Sequence, residues 1–298
     1  MTILLGACQS ASQATPASEA KTKLKVVAAE TFLADMAQNV AGDRVKIESL
    51  MPVGIDPHEF EPTPSDVAKI ADSNVLIVNG AGLEGFLAKL LQNAGGQRAV
   101  LEASAGLTPR QLHTGELTDA DHGEDPHFWL DPNNVIKYVE NMRDGLSAAD
   151  PEGAAVYTAN AEAYIAKLKE LDRWITDRVN EVPPADRVLV TNHDNFGYFA
   201  DRYGFKIIGT VIPSVSTDAS PSAQQLAQLI DQIKATGAKA IFLEQGVNPQ
   251  LADQVSAETG SKGVSGLYGD SLGVAAGPAA TYLDMLRYDV NAIVTALK

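Results

Sequence analysis

From Leu24 onward, short apolar runs alternate with longer stretches in which apolar residues recur every three or four positions. Lys25-Val26-Val27-Ala28-Ala29 reads as a buried strand, and Phe32, Met36 and Val40 place a helix over Thr31 to Val40. Val45 to Leu50 alternates and predicts a second strand. Thr63-Pro64-Ser65-Asp66 predicts a helix start, with threonine as the cap, proline at the first helical position and Asp66 where a capping-box acid belongs. Val75 to Val78 is a fully apolar strand, Leu83 to Leu91 a helix, and Val100-Leu101 the next strand. Alternation of this kind predicts an α/β fold with mainly parallel sheets and helices on both faces.

After a polar, glycine-containing loop from about residue 104 to 123, Asp150-Pro151 opens the most strongly helical stretch, with Asp150 as cap. Ile165, Leu168, Leu171, Ile175 and Val179 follow at helical spacing, and Pro183-Pro184 ends the run. Roughly thirty residues at about 1.5 Å each give a helix about 45 Å long. Longer than a crossover needs to be and near mid-chain, it reads as a rigid link between two lobes. A second βα series follows. Strands are expected at Arg187 to Thr191, Phe205 to Val211, Ala240 to Leu243 and Val264 to Tyr268. Helices are expected up to Tyr203, from Ser220-Pro221 to Ala235, from Asn248-Pro249 to Thr259, and from Ala279 to Leu297. The expected division is a tether over 1–23, a first lobe over 24–149, the linking helix over 150–182 and a second lobe over 183–298.

Composition narrows the class. A net charge of −15 argues against a nucleic-acid binder, which would need a basic face. The one cysteine, Cys8, excludes an intramolecular disulfide. It ends a short apolar run, Met1 to Ala7, and a small, polar, tether-like stretch follows it over 9–22. The run resembles the end of a bacterial lipoprotein signal, whose cysteine is lipidated; it is short and lacks a basic leader, so the signal is truncated or degenerate. The alternative is an incidental cysteine. No later stretch approaches a membrane span.

The chemistry concentrates in two copies of one tripeptide, Asp56-Pro57-His58 and Asp125-Pro126-His127. Proline fixes its own φ and restricts the residue before it, so each histidine sits on a stiff segment. Behind His127, Phe128-Trp129-Leu130 forms an apolar anchor before Asp131-Pro132. His193 and Asp270 each follow an expected strand end by two residues, where open α/β sheets bind ligands. Three imidazoles and a carboxylate fill a tetrahedral Zn²⁺ shell. Taken singly, each has a plain structural reading as a cap, turn or packed polar group. His113 and His122 lie on the polar loop and read as solvated.

Four segments together carry a family resemblance. Met51 to Pro64 (Met-Pro-Val-Gly-Ile-Asp-Pro-His-Glu-Phe-Glu-Pro-Thr-Pro) and Asp125 to Pro132 are the first two. Asn192-His193-Asp194-Asn195-Phe196-Gly197-Tyr198-Phe199 and Leu267-Tyr268-Gly269-Asp270-Ser271-Leu272-Gly273 are the others. They resemble the ligand segments of the zinc/manganese-binding lipoproteins of bacterial ABC importers, and the likeness covers nearly all of 24–298. It implies two βα lobes joined by a rigid helix, a metal in the cleft held by His58, His127, His193 and Asp270, a lipid anchor at Cys8, and a membrane permease as partner of a monomeric, extracytoplasmic protein. It also allows an adhesion label.

Members of the manganese type usually carry glutamate where this chain has His193, and imidazole suits zinc, so Zn²⁺ is expected ahead of Mn²⁺. The long histidine-rich loop of strongly zinc-specific relatives is replaced here by one holding only His113 and His122. No bond chemistry is expected. A zinc hydrolase would need an open coordination position and a base, for which Glu59 and Glu244 are the candidates. A surface adhesin is a third reading, with no sequence feature to locate its surface.

Overall fold

A computed structural model describes residues 24–110, 124–217 and 219–298. The first lobe runs β1 (Val26–Ala28), α1 (Thr31–Ala41), β2 (Ile47–Ser49), α2 (Pro64–Ala71), β3 (Val75–Val78), α3 (Leu87–Ala94) and β4 (Ala99–Glu102). Next come α4 (Pro132–Ala149) and α5 (Ala154–Val179). The second lobe runs β5 (Val188–Thr191), α6 (Gly197–Tyr203), β6 (Lys206–Thr210), α7 (Ala223–Thr236), β7 (Ala240–Glu244), α8 (Gln250–Thr259), β8 (Lys262–Leu267) and α9 (Tyr282–Leu297).

The first sheet is ordered β2-β1-β3-β4 and the second β6-β5-β7-β8, with every pairing parallel. The second sheet therefore repeats the topology of the first. Strand alternation divides each sheet between two cores. Val27, Ala29, Leu76 and Val78 pack with Ile70 of α2 and Leu90 of α3. Val26, Ala28, Val75 and Ile77 face the other way, into a larger cluster with α1, α4 and α5. That cluster continues through Leu168, Leu171, Ile175 and Val179 of α5 to Leu189, Phe242 and the apolar face of α9. A single hydrophobic body thus crosses both lobes, with α5 as its spine. At 26 residues α5 is about 39 Å long, shorter than expected because a 3-10 turn at Pro151–Gly153 precedes it.

Three expectations need correction. Asp150 makes no side-chain cap; its carboxylate binds the Arg44 guanidinium (2.8 Å) and the Tyr157 hydroxyl (2.7 Å) instead. The third helix begins at Leu87 rather than Leu83, because Gly80, Ala81 and Gly82 all adopt positive φ, and Glu84 turns back to accept the Asn79 and Gly80 amides. The seventh is capped by Ser222 with Gln225, two residues later than expected. One helix, α4, has no counterpart in the sequence reading. Asp131 caps it by accepting the Asn133 amide at 2.9 Å, Pro132 takes its first position, and Val135, Tyr138, Val139, Met142 and Leu146 are buried. The predicted Thr63–Asp66 capping box is present.

Candidate metal centre

The four candidate side chains converge beyond the carboxyl ends of the two sheets. His58 lies on the loop after β2, where Asp56 Oδ1 accepts its backbone amide at 2.9 Å. His127 opens the 3-10 turn Phe128–Leu130, all three residues of which are buried. This turn is the anchor anticipated behind His127. Phe32 and Trp129 stack with centroids 4.4 Å apart, while Trp129 Nε1 donates to Gly269 O (2.8 Å) across the cleft. His193 follows β5 by two residues, its carbonyl accepting from Thr191 Oγ1 at 2.8 Å. Asp270 follows β8, on the loop that Trp129 holds and that Leu272 N–H ties to Thr31 Oγ1 (2.9 Å).

One ligand atom from each of His58, His127, His193 and Asp270 lies within 4.8 Å of the other three. Nε2 of His127 is 3.2 Å from Nε2 of His58 and 3.4 Å from Nε2 of His193. Asp270 Oδ2 is 3.3 Å from His193 Nε2 and 3.8 Å from His58 Nε2. Donors about 2.0–2.1 Å from a tetrahedral ion are separated from each other by about 3.3–3.4 Å. Three of these separations fall near that value, while Asp270 stands 3.8 Å from His58 and 4.0 Å from His127, so the four atoms form a more open cluster. Asp270 is 6% exposed, and neither of its oxygens accepts a well-formed hydrogen bond among the described residues.

Two carboxylates outside this set face the rings. Asp125 Oδ1 lies 2.9 Å from His127 Nδ1, and Glu244 Oε1 lies 2.9 Å from His193 Nδ1. Asp125 holds the proton on His127 Nδ1 and turns its Nε2 lone pair inward, whereas Glu244 faces His193 as a counter-ion to its imidazolium without an aligned hydrogen bond. Asn195 Nδ2 in turn donates to Glu244 Oε1 at 2.9 Å. The orienting role of Asp125 was signalled in the sequence only by the Asp125-Pro-His127 spacing, and Glu244 carried no local signal of its place beside His193. Glu244, considered there as a catalytic base, is committed to His193, and Glu59 is exposed on a cavity wall.

Charge is balanced within the cluster. Burial disfavours the His193 cation, but Glu244 and Asp270 outweigh it and hold the imidazole pKa well above its usual value. Burial pushes His58 down to about 3, against the pull of Asp270. Burial would raise Asp270, yet the three histidines hold its carboxyl below the ordinary range. Beside Asp270 opens a cavity of about 760 Å³, whose lining among the described residues includes Asp56, Glu59 and Glu244 and no lysine or arginine. Thr217 Oγ1 to Asp56 Oδ2 (2.6 Å) and Gly54 N to Ser271 Oγ (2.8 Å) bridge the lobes there. Cys8, His113 and His122 lie outside the described residues. None of the described helices is long and apolar enough to cross a membrane.

Residues 26–296 match the family model of zinc-uptake complex component A, periplasmic. The chain is 36% identical over 297 residues to a manganese-binding lipoprotein, MntA, of Halalkalibacterium halodurans, covering 100% of this chain and 96% of that protein. It is 33% identical to the iron-binding protein YfeA of Yersinia pestis, over 93% of this chain and 87% of the relative. Among solved structures, the periplasmic zinc-binding protein TroA from Treponema pallidum superposes with a TM-score of 0.83 at 28% identity, covering 93% of this chain and 99% of that one.

Proposed function

The chain belongs to the periplasmic zinc-uptake complex component A family, and on that footing we propose that it is the extracytoplasmic solute-binding component of an ABC importer, which captures a divalent transition metal and delivers it to a membrane permease. The ion is cargo, and the role needs no bond making or breaking. Its ligands are Nε2 of His58, His127 and His193 and the carboxylate of Asp270. The observation that carries this reading is the convergence of four ligand atoms, from four separate segments and two lobes, to within 4.8 Å of one another. Asp125 already orients one of the rings, that of His127. Release then proceeds by local movement of the ligand loops, chiefly that of Asp270, since α5 and the shared core hold the lobes together.

The relatives are named for manganese, iron and zinc, and the donor set distinguishes among these metals. Three imidazoles and one carboxylate suit Zn²⁺, which also stands above Mn²⁺ in intrinsic affinity. Mn²⁺ is the second reading. It is favoured by the manganese-binding relative and by the cavity beside Asp270, which has room for the extra oxygen ligands that an octahedral ion requires. Lipidation at Cys8 would tether a monomeric body to the outer face of the membrane within reach of its permease. Metal content and competitive Zn²⁺/Mn²⁺ titration of the wild type beside His127→Ala test the site and rank the metals. Equal binding by the two proteins would remove the assignment.

A further inference from the structure

Arg110 belongs to no ligand segment, yet its guanidinium is buried against the metal centre. The side chain is 10% exposed. Its Nη1 lies 3.2 Å from Asp125 Oδ2, the oxygen opposite the one that holds His127. Its Nε donates to Asp201 Oδ2 at 3.0 Å, on α6 of the second lobe. The Arg110 backbone amide donates to Tyr198 Oη (3.0 Å), and that hydroxyl donates to the Asp125 carbonyl (2.8 Å). Tyr198 also packs on Phe128, with ring centroids 4.7 Å apart. One cation therefore joins the carboxylate that orients His127 to the helix that begins four residues after His193.

The second lobe is shaped to admit it. A Cβ on Gly197, the first residue of α6, would stand 1.9 Å from Arg110 Nη1 and 2.3 Å from Cζ. Any larger residue there has to displace the guanidinium. Arginine is also the residue the geometry demands, since its planar fork presents Nε and Nη1 to two separate carboxylates at once, whereas lysine offers a single point charge. The two ion pairs differ in weight. Asp201 is 59% exposed, so its pair is weakened by solvent, while Asp125 is fully buried, where loss of a partner is severe.

We propose that Arg110 is a positioning residue for metal retention, locking the Asp125–His127 pair to the His193-bearing lobe so that the ion leaves only when this link opens. The proposal rests on the metal-capture reading above. Neither Arg110 nor Asp125 lines the acidic cavity, which is bridged separately at Asp56–Thr217 and Gly54–Ser271.

The test measures transfer of Zn²⁺ from the loaded protein to a chromophoric chelator by stopped flow, with equilibrium affinity and the melting temperature of the metal-free protein recorded in parallel. Arg110→Ala is expected to weaken Zn²⁺ binding by about 10–100-fold, the usual effect of losing a partner that orients a metal ligand, with most of the change in the release rate. Arg110→Lys should recover only part of this. Gly197→Ala supplies an independent route, because it leaves every charged residue in place and alanine is the better helix former. It should reproduce the Arg110→Ala release rate, and the double variant should release no faster than Arg110→Ala alone, since both act on one contact. A wild-type release rate in Arg110→Ala accompanied by a lower melting temperature would show a structural role only and overturn the proposal. So would additivity of the two substitutions. These outcomes are distinct from failure of the metal reading, in which His127→Ala retains Zn²⁺ like the wild type and both proposals fall.

Discussion

Asp125 Oδ1 accepts two bonds from the same residue, His127: the backbone amide at 3.0 Å and the ring Nδ1 at 2.9 Å. The ring is thereby fixed in both position and tautomer before any ion arrives, with Nε2 presented to His58 and His193. Both residues are fully buried, so the arrangement is not loosened by competing water. Asp125→Asn keeps the shape and an acceptor oxygen but lowers the basicity of the imidazole and loses the charge that faces Arg110. Its metal affinity should fall by about tenfold or more, with the larger part of the usual 10–100-fold range reached by Asp125→Ala. Competitive titration checks this, and an unchanged affinity in both variants would mean that the ring is held by packing alone.

Removal of a ligand should erase metal-linked stabilisation. Binding to the folded state alone contributes about 4 kcal/mol when free metal exceeds Kd a thousandfold, and for a chain of this size that corresponds to a rise in melting temperature on the order of 10 °C. His127→Ala and Asp270→Ala should each lose most of that rise while their metal-free forms melt near the wild type. Without metal, Asp270→Ala should gain no stability, because the three histidines hold the Asp270 carboxyl in its charged form and that charge offsets the His193 cation. Differential scanning calorimetry with and without Zn²⁺ separates the two effects.

The four residues that converge at the candidate site were legible because each is written in local grammar. Asp-Pro-His stiffens two loops, His193 stands just past the apolar run of β5, and Asp270 just past β8. The architecture followed from the same alternation of runs and periods. What stayed hidden depends on distance along the chain or on weak local signals. Helix α4 carries Asn133, Asn134 and Gly145, poor helix formers that masked the spacing of Val135, Val139, Met142 and Leu146. Glu244 reaches His193 only because β7 lies beside β5. Arg110 meets Asp201, 91 residues away, through the docking of the lobes, which no local pattern encodes. The displaced start of α3 comes from three consecutive positive φ values, two of them at glycines visible in the sequence.

Metal uptake should release a proton. His193 is held in its charged form by Glu244 and Asp270, with a pKa well above the ordinary histidine value, and an imidazolium cannot coordinate. A raised pKa in the metal-free protein means that the proton is present at neutral pH and must leave as the ion binds. Apparent affinity therefore rises with pH until the pH exceeds that raised pKa. His58, pushed down to about 3, is already neutral and contributes no pH dependence above about pH 4. Calorimetric titration at pH 7 in buffers of different ionisation enthalpy should count about one proton per ion attributable to His193. Release of none would contradict the charge state assigned to it.

A last expectation concerns stability far from the cleft. Asp35 on α1 accepts the Tyr282 amide at the start of α9 (3.0 Å), and its pKa is raised to about 6, first by burial and further by Asp284, against the opposing Tyr282 bond and Lys167. A carboxyl whose folded pKa lies above its unfolded value of 3.8 costs stability wherever it must ionise. That cost is complete above about pH 6 and is relieved as pH falls towards 4, and about two pKa units correspond to on the order of 3 kcal/mol. Asparagine keeps an oxygen for the Tyr282 amide without the buried charge. Asp35→Asn should therefore be more stable than the wild type at pH 8, with the gap narrowing through pH 6 and nearly closed by pH 4. Urea denaturation across that range measures the gap directly, and a pH-independent difference would show that Asp35 keeps an ordinary pKa in the folded protein.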